Sequence, residues 1–154
     1  MTYDPTLPPG GGRRGRRANP DRPAMHGASD RRAAAPHPVL VVDADPALRG
    51  LLEEWMGECG CELSYADTGG ERPPGRFDLV VVDIAFPRQG GSERLRRLSE
   101  AHPGTPIVAL SPTFLGSVAC AGALARTLGA ARVLSKPLSR DALLDAACQL
   151  LPRT

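Results

Sequence analysis

The chain has 154 residues, 42% of them hydrophobic, and a formal charge of +2, which is one domain's worth of sequence with enough apolar residues for a core. The charge is unevenly spread, because residues 1–36 hold seven Arg against three Asp while the remainder has a small acidic excess. No apolar stretch reaches the ~18 residues of a membrane span, and the N-terminal arginines precede no hydrophobic signal segment, so the expectation is a cytoplasmic protein without a membrane partner.

Residues 1–36 contain six Pro, five Gly and Leu7 as their only branched aliphatic residue. Such a segment cannot bury enough apolar surface to offset chain entropy, and it reads as a disordered arm ahead of a folded body over 37–154. Its run from Gly10 to Arg17 can attract phosphates but has no interleaved aromatics for stacking, so nucleic acid is not the expected partner. Met25, just upstream of the body, is an alternative start of translation. The four cysteines, at 59, 61, 120 and 148, make no disulfide framework in a chain of this size. Cys120 and Cys148 read as small core residues of helices.

Along the body, Val39-Leu40-Val41-Val42-Asp43 is an apolar, β-branched run closed by a carboxylate, which reads as a buried strand. Asp45 and Pro46 follow as N-cap and first residue of a helix to about residue 59, with Leu48, Leu51, Leu52, Trp55, Met56 and Cys59 as its apolar stripe. A second strand is expected at 61–66. The stretch 67–76 then lacks apolar residues and ends in Pro73-Pro74-Gly75, so the helix due in this crossover is missing or degenerate, leaving part of one sheet face thinly covered. The third strand, 79–83, ends on Asp83. Ser92 is expected to cap a helix with Leu95, Leu98 and Ala101 inward and its arginines outward. A fourth strand at 107–110, an Ala-rich helix from about 114 to 128, a fifth strand at 132–135 and a helix capped by Ser139 complete the chain. In that last helix Leu143, Leu144, Ala147, Leu150 and Leu151 form the expected buried face. Strands alternating with helices give a parallel sheet with right-handed crossovers, an α/β doubly wound fold.

Asp43, Asp83, Ser111 and Lys136 each follow a strand and so reach the same edge, beyond the carboxyl ends where open α/β sheets place their chemistry. Two carboxylates, a hydroxyl and an ammonium suit a phosphoryl group: one carboxylate attacks while cations neutralise the equatorial oxygens. Lys136 is the only lysine against eighteen arginines. Its point-like ammonium is not interchangeable with a guanidinium, which singles the position out.

Val39–Pro46, Asp83 with Pro87 and Gly91 after it, Ile107–Ser111 and Ser135-Lys136-Pro137 together resemble the receiver domain of bacterial response regulators, over about residues 38–152. The resemblance implies a five-stranded sheet of order 2-1-3-4-5 (flavodoxin-like) and phosphorylation of an aspartate by a histidine kinase or phosphotransfer protein with Mg²⁺. It implies Asp83 as phosphoacceptor, Asp43, Asp83 and the Ala85 carbonyl as metal ligands, and Ser111 and Lys136 as the groups contacting phosphate. The chain departs from the family in three ways. Ala44 replaces the second of two adjacent acids, which weakens the expected Mg²⁺ site; Val133 stands where a switch aromatic is usual; and the crossover helix is missing. A signal would then leave through the 111–116 loop with Phe114.

The leading expectation is a single-domain response regulator, with no output domain after Thr154, acting through a downstream protein partner or a phosphorelay and possessing no enzymatic activity beyond its own aspartyl phosphorylation and dephosphorylation. A homodimer is compatible with the thinly covered face. The alternative is a pseudo-receiver that binds a partner without phosphotransfer. A remote third reading takes Asp43-Ala44-Asp45 as the start of a haloacid-dehalogenase-type phosphatase, but no acidic metal motif follows Lys136 and Asp83 is left without a role.

Overall fold

The computed structural model of the protein describes residues 35–71, 73–84, 90–112, 125–126 and 129–153. The expected Ala-rich helix at 114–128, Phe114, Ala85, Cys120, Met25 and nearly all of the 1–36 segment therefore lie outside the described residues or largely so. The elements in chain order are β1 (His37–Val42), α1 (Pro46–Gly57), β2 (Cys61–Ala66), β3 (Leu79–Asp83), α2 (Gly91–Ala101), β4 (Ile107–Ser111), β5 (Arg132–Ser135) and α3 (Arg140–Leu150).

All strand pairs are parallel and the sheet order is β2-β1-β3-β4-β5, as expected. Side chains alternate across a strand, and in the central strands both sets are apolar. Val39, Val41, Leu79, Val81, Val108 and Leu110 face one side, where Leu48, Leu52 and Met56 of α1 meet Leu143, Ala146 and Ala147 of α3. Leu40, Val42, Val80, Val82, Ile107 and Ala109 face the other, against Leu95 of α2, Phe77 and Val133. β3 and β4 are buried at every position, which explains why they read as unbroken apolar runs rather than alternating ones.

β2 behaves differently because its sequence alternates. Cys61, Leu63 and Tyr65 pack toward the α1 face, while Glu62 and Ser64 point the other way and Ala66 offers only a methyl group to that second face. This edge strand asks for little apolar cover on the second face, so the crossover can dispense with a helix. None of the described residues of 67–78 is helical. Between that loop and α2 lies a cavity of about 450 Å³, floored by Leu40, Val42 and Ala66 and walled by Thr68, Arg94 and Leu98.

Several local expectations need correcting. The N-cap of α2 is Gly90, at φ 84°, and no side chain caps this helix; Ser92 is already inside it and exposed. The left-handed φ is available to glycine without a Cβ clash. Leu51 is 41% exposed rather than part of the buried stripe of α1. Cys148 is exposed, not a core residue; on α3 the small buried residues are Ala146 and Ala147. The caps at Asp45 and Ser139 are present, accepting from the Leu48 amide at 2.8 Å and the Ala142 amide at 3.5 Å.

Candidate functional site at the carboxyl edge of the sheet

The register sets the site. Asp83 pairs with Leu110 and Ser111 with Ser135, so the ends of β3, β4 and β5 step along one edge. The Ile84 amide donates to the Leu110 carbonyl at 2.8 Å and the Lys136 amide to the Ser111 carbonyl at 3.1 Å, which ties the three ends together. Asp83 and Ser111 are both buried. Lys136 leaves the end of β5 and its Nζ donates to Asp83 Oδ2 at 2.6 Å. The structure thus brings Asp83 and Lys136 into direct contact, with Ser111 one strand away on the same edge; Ala85 lies outside the described residues.

The Asp83 carboxylate is asymmetric. Its side chain is 9% exposed, Oδ2 is held by the ammonium, and Oδ1 is buried with no hydrogen-bond partner among the described residues. An unpartnered buried carboxylate oxygen is costly, and strain, a catalytic role, or a water or ion at that oxygen each account for such a group.

Asp43 stands level with Asp83, because Val42 pairs with Val82 across β1 and β3. Its carboxylate nevertheless belongs to a different set of contacts. Asp43 has φ 59°, a left-handed conformation that Asp tolerates better than most residues, and its amide donates to the Ala66 carbonyl at 2.9 Å. Oδ1 accepts from the Thr68 amide at 2.6 Å. Oδ2 accepts from the Thr68 hydroxyl and pairs with the Arg94 guanidinium at 3.4 Å. Arg94 was expected to face outward with the other arginines of α2 and instead turns in. Arg96 and Arg97 do face solvent, sharing Glu93 and Glu100 at 2.7–3.1 Å; the two guanidiniums beside Glu93 hold its carboxyl below the usual range.

Arg94 and Thr68 are the residues that sequence reasoning missed. The available signal was positional, since the first turn of the helix after β3 and the first residues after β2 both emerge at the edge carrying Asp43 and Asp83.

Mg²⁺ needs oxygen ligands in near-octahedral geometry, and the described residues do not fit it as arranged. Both Asp43 oxygens are engaged, Ala44 brings no side-chain donor, and Asp45 Oδ1 caps α1, so of this set only Asp83 Oδ1 and the second oxygen of the exposed Asp45 are not engaged by a contact among the described residues. No group of three His, Cys, Asp or Glu side chains among the described residues is placed to hold a metal ion.

A five-stranded parallel sheet of order 2-1-3-4-5 that gathers an aspartate, a hydroxyl and a lysine at its carboxyl edge defines the class as a doubly wound α/β protein with its polar groups beyond the strand ends. Residues 39–148 match the response regulator receiver domain, and the chain belongs to that family. It is 34% identical over 120 residues to the response regulator MprA of Mycolicibacterium vanbaalenii, covering 75% of this chain and 51% of that protein. It is 33% identical over 112 residues to the C4-dicarboxylate transport transcriptional regulatory protein DctD of Pseudomonas aeruginosa, covering 70% and 24%. The chain spans about half or less of the length of these curated relatives. Among solved structures, the chemotaxis protein CheY4 of Vibrio cholerae superposes with a TM-score of 0.59 at 25% identity, over 76% of this chain and 100% of that one. Receiver domains work in two-component systems, where aspartyl phosphorylation and Mg²⁺ binding are typical.

Proposed function

We propose that this protein receives a phosphoryl group on Asp83 from a histidine kinase or phosphotransfer protein and passes the signal to a downstream protein partner. The observation that carries the proposal is the divided carboxylate: Oδ2 fixed by Lys136 at 2.6 Å and Oδ1 buried and unpartnered. Oδ1 is the nucleophile. As its bond to phosphorus forms, the bond from phosphorus to the donor's leaving atom breaks, and the electron pair departs with the donor. Lys136 Nζ shifts its hydrogen bond from the carboxylate to an equatorial phosphoryl oxygen, while the Ser111 hydroxyl donates to another. Stabilisation of that spreading charge by positioned cations and donors is the main catalytic contribution in phosphoryl transfer. The protein turns over no other substrate. The receiver is the body over 37–154, and the 1–36 segment is an appended arm rather than a nucleic-acid binder.

The Mg²⁺ site is weaker than is typical, since Ala44 supplies no carboxylate. A second reading, a pseudo-receiver that binds its partner without phosphotransfer, is favoured by the engagement of Asp43 with Thr68 and Arg94 and by Val133, a buried aliphatic side chain with no ring to swing outward. The two readings separate in one experiment. On incubation of the full chain with acetyl phosphate, with and without Mg²⁺, the first predicts one phosphoryl adduct by intact mass that is absent from Asp83→Asn; the second predicts none, and partner binding indifferent to Asp83→Asn.

A further inference from the structure

The poor match between the acidic edge and Mg²⁺ has a specific agent. We infer that Arg94 is the resident cation of this site: its guanidinium, with Thr68, closes the Asp43 carboxylate against a divalent ion. The inference needs Asp43 to lie at the acidic edge; it does not need Asp83 to be phosphorylated.

Three observations converge. First, of the arginines on α2, Arg96 and Arg97 are matched to Glu93 and Glu100 on the same helix, whereas the ion pair made by Arg94 is to Asp43, across to the end of β1. Second, both Asp43 oxygens are taken, and the residue holding them, Thr68, does so with its amide and its hydroxyl at once. Third, the residues next to Asp43 in the chain add little to a metal site: position 44 is Ala, and Asp45 turns its Oδ1 to the Leu48 amide that it caps, at 2.8 Å.

A divalent ion at Asp43 must therefore compete with two hydrogen bonds and with a cation that cannot deprotonate to leave. It must also lose part of its own tightly held water. A guanidinium performs one part of the metal's usual task, neutralising the carboxylate, but it cannot bridge two carboxylates and a phosphoryl oxygen as a metal ion does. The site is thus set with two basic side chains, Arg94 against Asp43 and Lys136 against Asp83.

The test is a calorimetric titration of MgCl₂ into the full chain at constant ionic strength, with no phosphodonor present. Wild type is expected to bind Mg²⁺ at least about tenfold more weakly than Arg94→Gln, the scale of removing one nearby like charge at a surface-proximal site. Arg94→Lys, which keeps the charge, is expected to stay weak, and Asp43→Asn in the Arg94→Gln background to lose the gained binding. Arg94 is 36% exposed in its side chain, so the variants are expected to fold; a Thr68→Val variant, which removes the hydroxyl contact, gives a second route to the same gain. Equal affinity in wild type and Arg94→Gln, or no binding in either, overturns the inference. With no phosphodonor in the cell, neither result depends on whether Asp83 accepts phosphate.

Discussion

Lys136 and Asp83 are a charge pair that the chain has largely removed from water, with side-chain exposures of 27% and 9%. Breaking a buried pair from one side leaves an uncompensated charge, which typically costs about 3 kcal/mol or more. Lys136→Ala is therefore expected to lose about 3 kcal/mol in urea unfolding, and Lys136→Ala combined with Asp83→Asn to recover part of that loss. A double variant no more stable than Lys136→Ala alone would contradict the account. Lys136 was visible in the sequence because it is the only lysine among so many arginines, and Asp83 because it closes an apolar run. Arg94 was not, since a helical arginine in a run with Arg96 and Arg97 reads as one more solvated charge. Its difference from Arg96 and Arg97 has a local part, since Glu93 and Glu100 lie at helical spacing from those two and not from Arg94, and a tertiary part, since the first turn of α2 brings it to Asp43.

Among the elements, α1 and β2 show where local chemistry decides and where it does not. Asp45 caps α1 through the Leu48 amide, and replacing such a cap with Ala costs about 1 kcal/mol; Asp45→Ala is expected to lower the unfolding free energy by that much. The helix boundaries and the parallel order were legible because both faces of β1, β3 and β4 are apolar. The start of α2 was not. A serine at 92 is the better cap by propensity, but the chain enters the helix through Gly90 in the left-handed region. β2 is the one strand with only half-buried positions and an exposed Glu62. Its amides are expected to exchange with deuterium faster than those of β3 and β4, whose protection should approach that of global unfolding. At the start of β2, burial and the neighbouring Cys59, Cys148 and Asp78 push the Cys61 thiol from 9.0 up to about 11. The folded state prefers the neutral thiol, so this contribution is complete below pH 9 and is lost as pH climbs toward 11. Cys61→Ala is expected to flatten the alkaline fall of the melting temperature, whereas an unchanged pH profile would count against a buried thiol.

For the molecule as a whole, the sheet carries one apolar layer on each face, and the functional edge lies where strand ends, loop 67–70 and the first turn of α2 meet. That convergence was legible from the order of elements, since parallel strands deliver their carboxyl ends to one edge. The division of the edge was less so: β3 and β5 contribute a carboxylate with one open oxygen, while β1 contributes a carboxylate already neutralised by Arg94. The missing crossover helix matters here, because the loop that replaces it supplies Thr68. On the proposed function, Asp83 Oδ1 is a working nucleophile despite this atypical surrounding. That role is tested most directly by intact mass of the full chain after incubation with acetyl phosphate. The account predicts one phosphoryl adduct on wild type, lost in Asp83→Asn and only weakly dependent on Mg²⁺; no adduct on wild type, or an equal adduct on Asp83→Asn, would contradict it.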